Sequence, residues 1–175
     1  LEEKGLPCDL VIVPPHSDDP DFCHASPFGK IPAIDDEGFL LPDSTAIIAY
    51  LNARVPFPAL LPSEPQMLGR ASWFEEFSDT ILAPAATPII HQRFLRPKVF
   101  KSSGDEAIAA RSEDLLRPIV DYLEKQLSSE SWIVGSFSVA DIAIGSVFAT
   151  LSYAGYTIDR RSHPILAEWY ERSSN

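Results

Sequence analysis

The chain has 175 residues, 45% of them apolar and 22% charged, with a formal net charge of -11. That length and composition describe a folded protein of one large or two small domains with a real core. The charge argues against nucleic acid as a partner, because a polyanion is repelled. No stretch approaches the roughly 18 to 20 apolar residues of a membrane-spanning helix, and no secretory signal pattern opens the chain. Either the protein is cytoplasmic, which is the expectation, or its address lies upstream of Leu1; no membrane partner is expected.

In chain order, Leu1 to Gly5 read as the end of a helix whose start is missing, with Gly5 as its stop. The β-branched run Cys8 to Val13 reads as a strand that ends at Pro14 and Pro15. His16 to Ser26 reads as a polar loop with one short helical turn. Ile31 to Asp35 and Phe39 to Leu41 flank the turn Asp36-Glu37-Gly38 and form a hairpin. Ser44 to Arg54 is a helix with Ile47, Ile48 and Leu51 on one face.

Pro56, Pro58, Pro62 and Pro65 then mark a linker over residues 56–65, since proline blocks both helix and central strand. It separates a domain over 1–55 from a helical domain over 66–175. In the second domain Gln66 to Leu82 is helical, and Pro84 and Pro88 are expected to kink or end that helix. Asp105 to Leu127 carries an apolar stripe at Ile108, Leu115, Leu116, Ile119, Val120, Leu123 and Leu127, bent at Pro118. Ser138 to Tyr153 and Pro164 to Arg172 complete the set, the latter with proline in the first turn.

Two cysteines, Cys8 and Cys23, are too few for a disulfide framework and do not form a C-x-x-C pair. With His16, His24, His91 and His163 they show no metal-ligand spacing, so no metal is expected.

Two stretches carry chemistry. In Ser26-Pro27-Phe28-Gly29-Lys30-Ile31-Pro32-Ala33-Ile34, Pro32 opens a strand at the cost of a backbone donor. Either this is an edge-strand proline, or Ile31–Pro32 is cis and turns the Ile31 backbone outward to pair with an extended ligand. In Leu41-Pro42-Asp43-Ser44-Thr45-Ala46-Ile47, Ser44 stands at a helix N-terminus. There it either caps the helix or, with the free amides, binds a carboxylate. Asp43 beside it suits an ammonium. The pair fits an amino-acid head group.

The order of these stretches resembles the glutathione transferase superfamily. The resemblance continues in Trp132-Ile133-Val134-Gly135-Ser136-Phe137-Ser138-Val139-Ala140-Asp141-Ile142 and in His163-Pro164-Ile165-Leu166-Ala167-Glu168-Trp169, and so covers almost the whole chain. It implies a thioredoxin-like N-terminal domain, incomplete at its N-terminus, followed by an all-helical C-terminal domain. By resemblance, Pro32 is the cis proline and the backbone of Ile31 holds the cysteinyl part of glutathione. Ser44 and Asp43 hold its γ-glutamyl end, and Lys30 lies near its glycyl carboxylate. The family more often has Glu where this chain has Asp43.

The resemblance further implies activation of the glutathione thiol for attack on an electrophilic small molecule, and a homodimer, for which the helix with Trp73, Phe74 and Phe77 offers surface. The alternatives on the same scaffold are an isomerase, a dehalogenase, a disulfide reductase or a non-catalytic interaction module. The thiol activator of the family, a Ser, Tyr or Cys, is expected upstream of Leu1, so no catalytic residue is named.

Between Asp79 and Asp105 there is no acidic residue, yet Arg93, Arg96, Lys98 and Lys101 fall there among His91, Phe94, Leu95 and Phe100. This is either a solvated helix end or, as the resemblance implies for His91, Phe94 and Arg96, the border of the electrophile pocket. Ser138 and Asp141 read as a capping box.

Overall fold

The computed structural model describes residues 1–14, 17–128 and 131–173. Pro15 and His16, the end of the expected strand and the start of the expected loop, lie outside the described residues. The chain divides into two compact units, Leu1–Leu60 and Leu61–Asn175.

The first unit begins with a 3₁₀ turn, Glu2–Lys4, closed by Gly5 in the left-handed conformation (φ 62°). The Lys4 ammonium donates to the carbonyls of Val55 (2.6 Å) and Pro58 (2.8 Å), tying the turn to the end of the unit's last helix. Residues 7–14 form no strand: Leu10, Val11 and Ile12 are 83%, 77% and 87% exposed. The expected strand fails for a physical reason. β-Branched residues favour extended backbone, but a strand exists only through its hydrogen-bonded partner, and no described segment pairs with this one.

Helix α1, Pro20–Ala25, starts on Asp19, whose carboxylate accepts from the amides of Asp21 and Phe22. Strands β1 (Ala33–Asp36) and β2 (Phe39–Pro42) form the antiparallel hairpin, with Ala33 opposite Pro42. Glu37 and Gly38 both have positive φ (55° and 91°), as a two-residue turn matched to strand twist requires. Helix α2 is Ser44–Arg54 and buries Ile47 and Leu51.

In the second unit α3 is Pro65–Phe77 and α4 is Ala83–Ile90. The prolines do not end this helix. It runs on through two wide π-helical stretches, Ser78–Leu82 before Pro84 and His91–Val99 after Pro88. A π-turn widens the helix and changes which carbonyls face each amide, so the fault of a ring without an N–H is absorbed at Pro84, just after the first stretch, and at Pro97, inside the second; Pro88 stays within α4. The Ser78 hydroxyl in the first stretch donates to the Ala143 carbonyl (3.0 Å).

Helix α5 is Glu106–Gln126, with Pro118 inside it. Its buried stripe is Ala109, Ser112, Leu116, Val120 and Leu123; Ile108 and Leu115, expected there, are 42% and 62% exposed. Helices α6 (Val139–Tyr153) and α7 (Pro164–Ser173) follow.

Asp141, fully buried, ties the unit together. It accepts from the amides of Ile133 and Ser138, from the Ser138 hydroxyl, and from the indole of buried Trp169 at 2.8 Å. The Ser138–Asp141 capping box is formed. Of the three aromatic residues expected at a surface, Phe74 and Phe77 are core and only Trp73, 48% exposed, remains outside.

Among the described residues no helix is long and apolar enough to cross a membrane, and no cluster of His, Cys, Asp or Glu is arranged to hold a metal ion.

Candidate functional site

The first unit gathers Lys30, Ile31, Pro32, Asp43 and Ser44 at one end of the hairpin. The cause is register. With Ala33 opposite Pro42, the next pair outward is Pro32 and Asp43, and the Asp43 amide donates to the Pro32 carbonyl at 3.0 Å. Two sequence stretches eleven residues apart are thereby placed side by side.

The loop entering β1 is built on Ser26, which is buried. Its hydroxyl donates to the Lys30 carbonyl (2.8 Å) and its own carbonyl accepts from the Gly29 amide (2.9 Å). Gly29 needs its φ of 69°, a conformation that side chains resist. The Ile31–Pro32 bond is cis, as is Phe57–Pro58, which the sequence did not signal.

At the start of α2 the cap is Asp43, not Ser44. The Asp43 carboxylate accepts from the Thr45 amide (3.1 Å), and the first helical bond runs from Ile47 to the Asp43 carbonyl. Among the described residues the Ser44 hydroxyl has no hydrogen-bond partner. The amides of Ser44 and Ala46, in the first turn, have no intrahelical acceptor. Together they make a small anion-binding corner, with the helix dipole behind it.

The Lys30 ammonium lies 3.4 Å from the Asp43 carboxylate, and the two side chains are 67% and 40% exposed. Such a pair is worth about 0–1 kcal/mol, so a charged ligand can replace either partner. The cradle thus offers a cation, an anion, a free hydroxyl, helix amides and the Ile31 backbone.

The other expected residues lie in the second unit. The Phe94 and Tyr153 rings are 5.5 Å apart, and those of His91 and Phe100 6.1 Å apart. Much of the basic segment is engaged within the unit. Arg93 pairs with Glu106 and Glu113, contacts that raise the guanidinium's proton affinity and hold Glu106 below its ordinary value. The Arg96 Nε donates to the Ser103 carbonyl at 2.7 Å.

A cavity of about 200 Å³ lies between α4 (Ala83, Thr87, Ile90) and α6 (Ser146, Val147, Thr150). Thr87, Ser146 and Thr150 all donate their hydroxyl protons to carbonyls of their own helices (2.7–2.8 Å), so the wall offers a ligand mainly carbon. Burial pushes the Tyr156 phenol up. Ser26 and Tyr153 were not singled out in the sequence; a serine four residues before Lys30 carried no signal of its loop-building role.

Family models for the N-terminal and C-terminal domains of glutathione S-transferase match residues 1–63 and 106–172. Glutathione S-transferase 1 of Manduca sexta is 30% identical over 156 residues, covering 88% of this chain and 68% of the relative. Among solved structures, a glutathione S-transferase from Rhodospirillum rubrum superposes with a TM-score of 0.88 at 22% identity, over 99% of this chain and 79% of the other, a likeness of fold. One from Methylobacterium radiotolerans, in complex with glutathione sulfonate, has a TM-score of 0.73 at 27% identity, over 98% of this chain and 80% of the other. On the two domain models and the relatives together, the chain belongs to the glutathione S-transferase family, a thioredoxin-like domain followed by a helical one.

Proposed function

We propose that the protein binds glutathione at the end of the hairpin and acts as a glutathione transferase. Residues 1–55 are then the glutathione-binding domain, 56–65 the linker and 66–175 the helical domain. Glutathione carries two carboxylates, an ammonium and a thiol on an extended backbone. Ser44 and the first amides of α2 take the γ-glutamyl carboxylate, Asp43 its ammonium, Lys30 the glycyl carboxylate, and the Ile31 backbone the cysteinyl unit. On binding, the Lys30–Asp43 pair opens and each member meets the opposite charge on the ligand.

One observation carries this reading. The hairpin register sets Pro32 against Asp43, so the backbone acceptor site and the head-group site form one cradle. The glutathione sulfonate bound by the Methylobacterium relative supports the same ligand class. His91, Phe94 and Arg96 are assigned to the electrophile, with Phe94 and Tyr153 as its aromatic wall. The protein is taken as cytoplasmic, its exposed Cys8 and Cys23 kept reduced, and as a homodimer to which Trp73 contributes.

Titration calorimetry with glutathione tests the reading. Heat of binding is expected at millimolar ligand; a folded protein that gives none overturns it.

A further inference from the structure

His91–Val99 is nine residues of π-helix, far beyond the single turn in which that form usually occurs. Its stability must come from outside its own hydrogen bonds, and the connection to α5 supplies it. The Ser102 amide donates to the Arg96 carbonyl (2.9 Å), and the Arg96 Nε to the Ser103 carbonyl (2.7 Å). The carboxamide of buried Gln92 accepts from the Asp105 amide (2.8 Å). Arg93 reaches Glu106 and Glu113.

At the centre is Gly104. A Cβ there would overlap the Gln92 carbonyl oxygen and stand 2.9 Å from its carbon. Gly104 does not have the positive φ that favours glycine, so its missing side chain serves approach, not torsion. Gln92, Arg93 and Arg96 thus face the connection, while Phe94 meets Tyr153.

We propose that Gly104 is a positioning residue: its close approach to Gln92 locks His91–Val99 in the wide helical form and so fixes Phe94 against Tyr153 for the electrophile. The positioning role rests on the functional reading above; the lock itself does not. Without it the stretch relaxes toward an α-helix, whose residues succeed one another at a different angle about the axis, and Phe94 leaves Tyr153.

The full chain carrying Gly104→Ala tests this. Amide hydrogen exchange over 91–99 is expected to quicken while α6 and α7 keep their protection. Dissociation constants for S-methylglutathione and S-hexylglutathione then isolate the electrophile side, since both lack the thiol proton of glutathione and they differ only in tail length. The longer tail's gain in affinity is expected to fall about three- to tenfold, with S-methylglutathione itself held within about twofold.

Gln92→Leu, which keeps the volume but leaves the Asp105 amide without its acceptor, is expected to act in the same direction and decides the matter if Gly104→Ala does not fold. Unchanged exchange overturns the lock. Faster exchange with an unchanged tail increment overturns the positioning role. A parent protein that binds neither probe overturns the functional reading and with it that role, while exchange still decides the lock.

Discussion

The two units hold their residues in place by different means. In Leu1–Leu60 the only buried apolar side chains among the described residues are Phe22, Ile47 and Leu51, none below 7% exposure, whereas the helical unit seals Leu82, Ile89, Leu116, Ile144, Leu151, Leu166 and Trp169 to 0%. The cradle proposed for glutathione therefore sits on the thinner unit. Its geometry comes from hairpin register, from Ser26 and from the Asp43 cap. The helical unit is held by apolar packing around one buried carboxylate. A site defined by backbone hydrogen bonds needs little core, and this is why short motifs identify it.

The sharpest way to break that contrast is Asp141→Ala. It leaves the Ile133 and Ser138 amides and the Trp169 indole without an acceptor. The expected loss is roughly 3–5 kcal/mol, since each unsatisfied buried donor costs about 1–3 kcal/mol. Denaturant unfolding followed by tryptophan fluorescence measures it, and a loss under about 1 kcal/mol would mean that the carboxylate does not organise the unit.

In the thin unit, Ser44→Ala is expected to weaken glutathione binding roughly ten- to a hundredfold, as a hydrogen bond to a charged group is worth about 1.5–3 kcal/mol. Stability should change by less than about 0.5 kcal/mol, because the hydroxyl has no partner among the described residues. Asp43→Ala should instead remove the cap, about 1 kcal/mol. If Ser44→Ala destabilises the protein as much as Asp43→Ala does, the cap assignment is wrong.

Helix α7 offers an intermediate case. Its first turn is capped from α5, where the Glu124 carboxylate accepts from the amides of Ile165 (3.1 Å) and Leu166 (2.7 Å). Glu124→Ala is expected to cost about 1–2 kcal/mol and to raise hydrogen exchange in α7 first. Uniform exchange across the helical unit would argue against a local cap.

The smallest expected effect is electrostatic. Glu106, beside Arg93, and Asp159, which accepts from the Arg161 amide and the Ser162 hydroxyl, both lie below their ordinary values of 4.5 and 3.8. The unfolded chain binds these protons more readily, so the contribution is complete above those values and disappears as pH falls through the lower folded ones. Glu106→Gln should flatten the acid limb of a stability profile at low salt. The difference should shrink at high salt, where exposed charges are screened.

Sequence pattern and structure part company where a partner is needed. The hairpin, α2 and the capping box were legible because each is decided within a few residues. Cys8 to Val13 looked like a strand because side-chain preference is local, while pairing is not. Pro84 looked like a break because the usual rule assumes an α-helical ladder, and widening it to a π-turn leaves no mark in the residue types. Arg93 looked free because Glu106 and Glu113, thirteen and twenty residues on, meet it only after the chain reverses. Asp43 and Ser44 are equally good caps on paper, and the backbone of the preceding hairpin chose between them.

The turn at Glu37 and Gly38 is in effect the gauge of the proposed binding site. Side chains along a strand alternate faces, so one residue inserted there, with the two-residue turn kept, would slide β2 past β1 and set Pro42 rather than Asp43 beside Pro32, or break the hairpin. All five cradle residues would still be present, but Asp43 and Ser44 would no longer stand beside Pro32. Activity lost through such an insertion, some distance from any ligand, would be a failure of measurement rather than of chemistry, and neighbouring turns of other lengths would define differently proportioned cradles from the same residues.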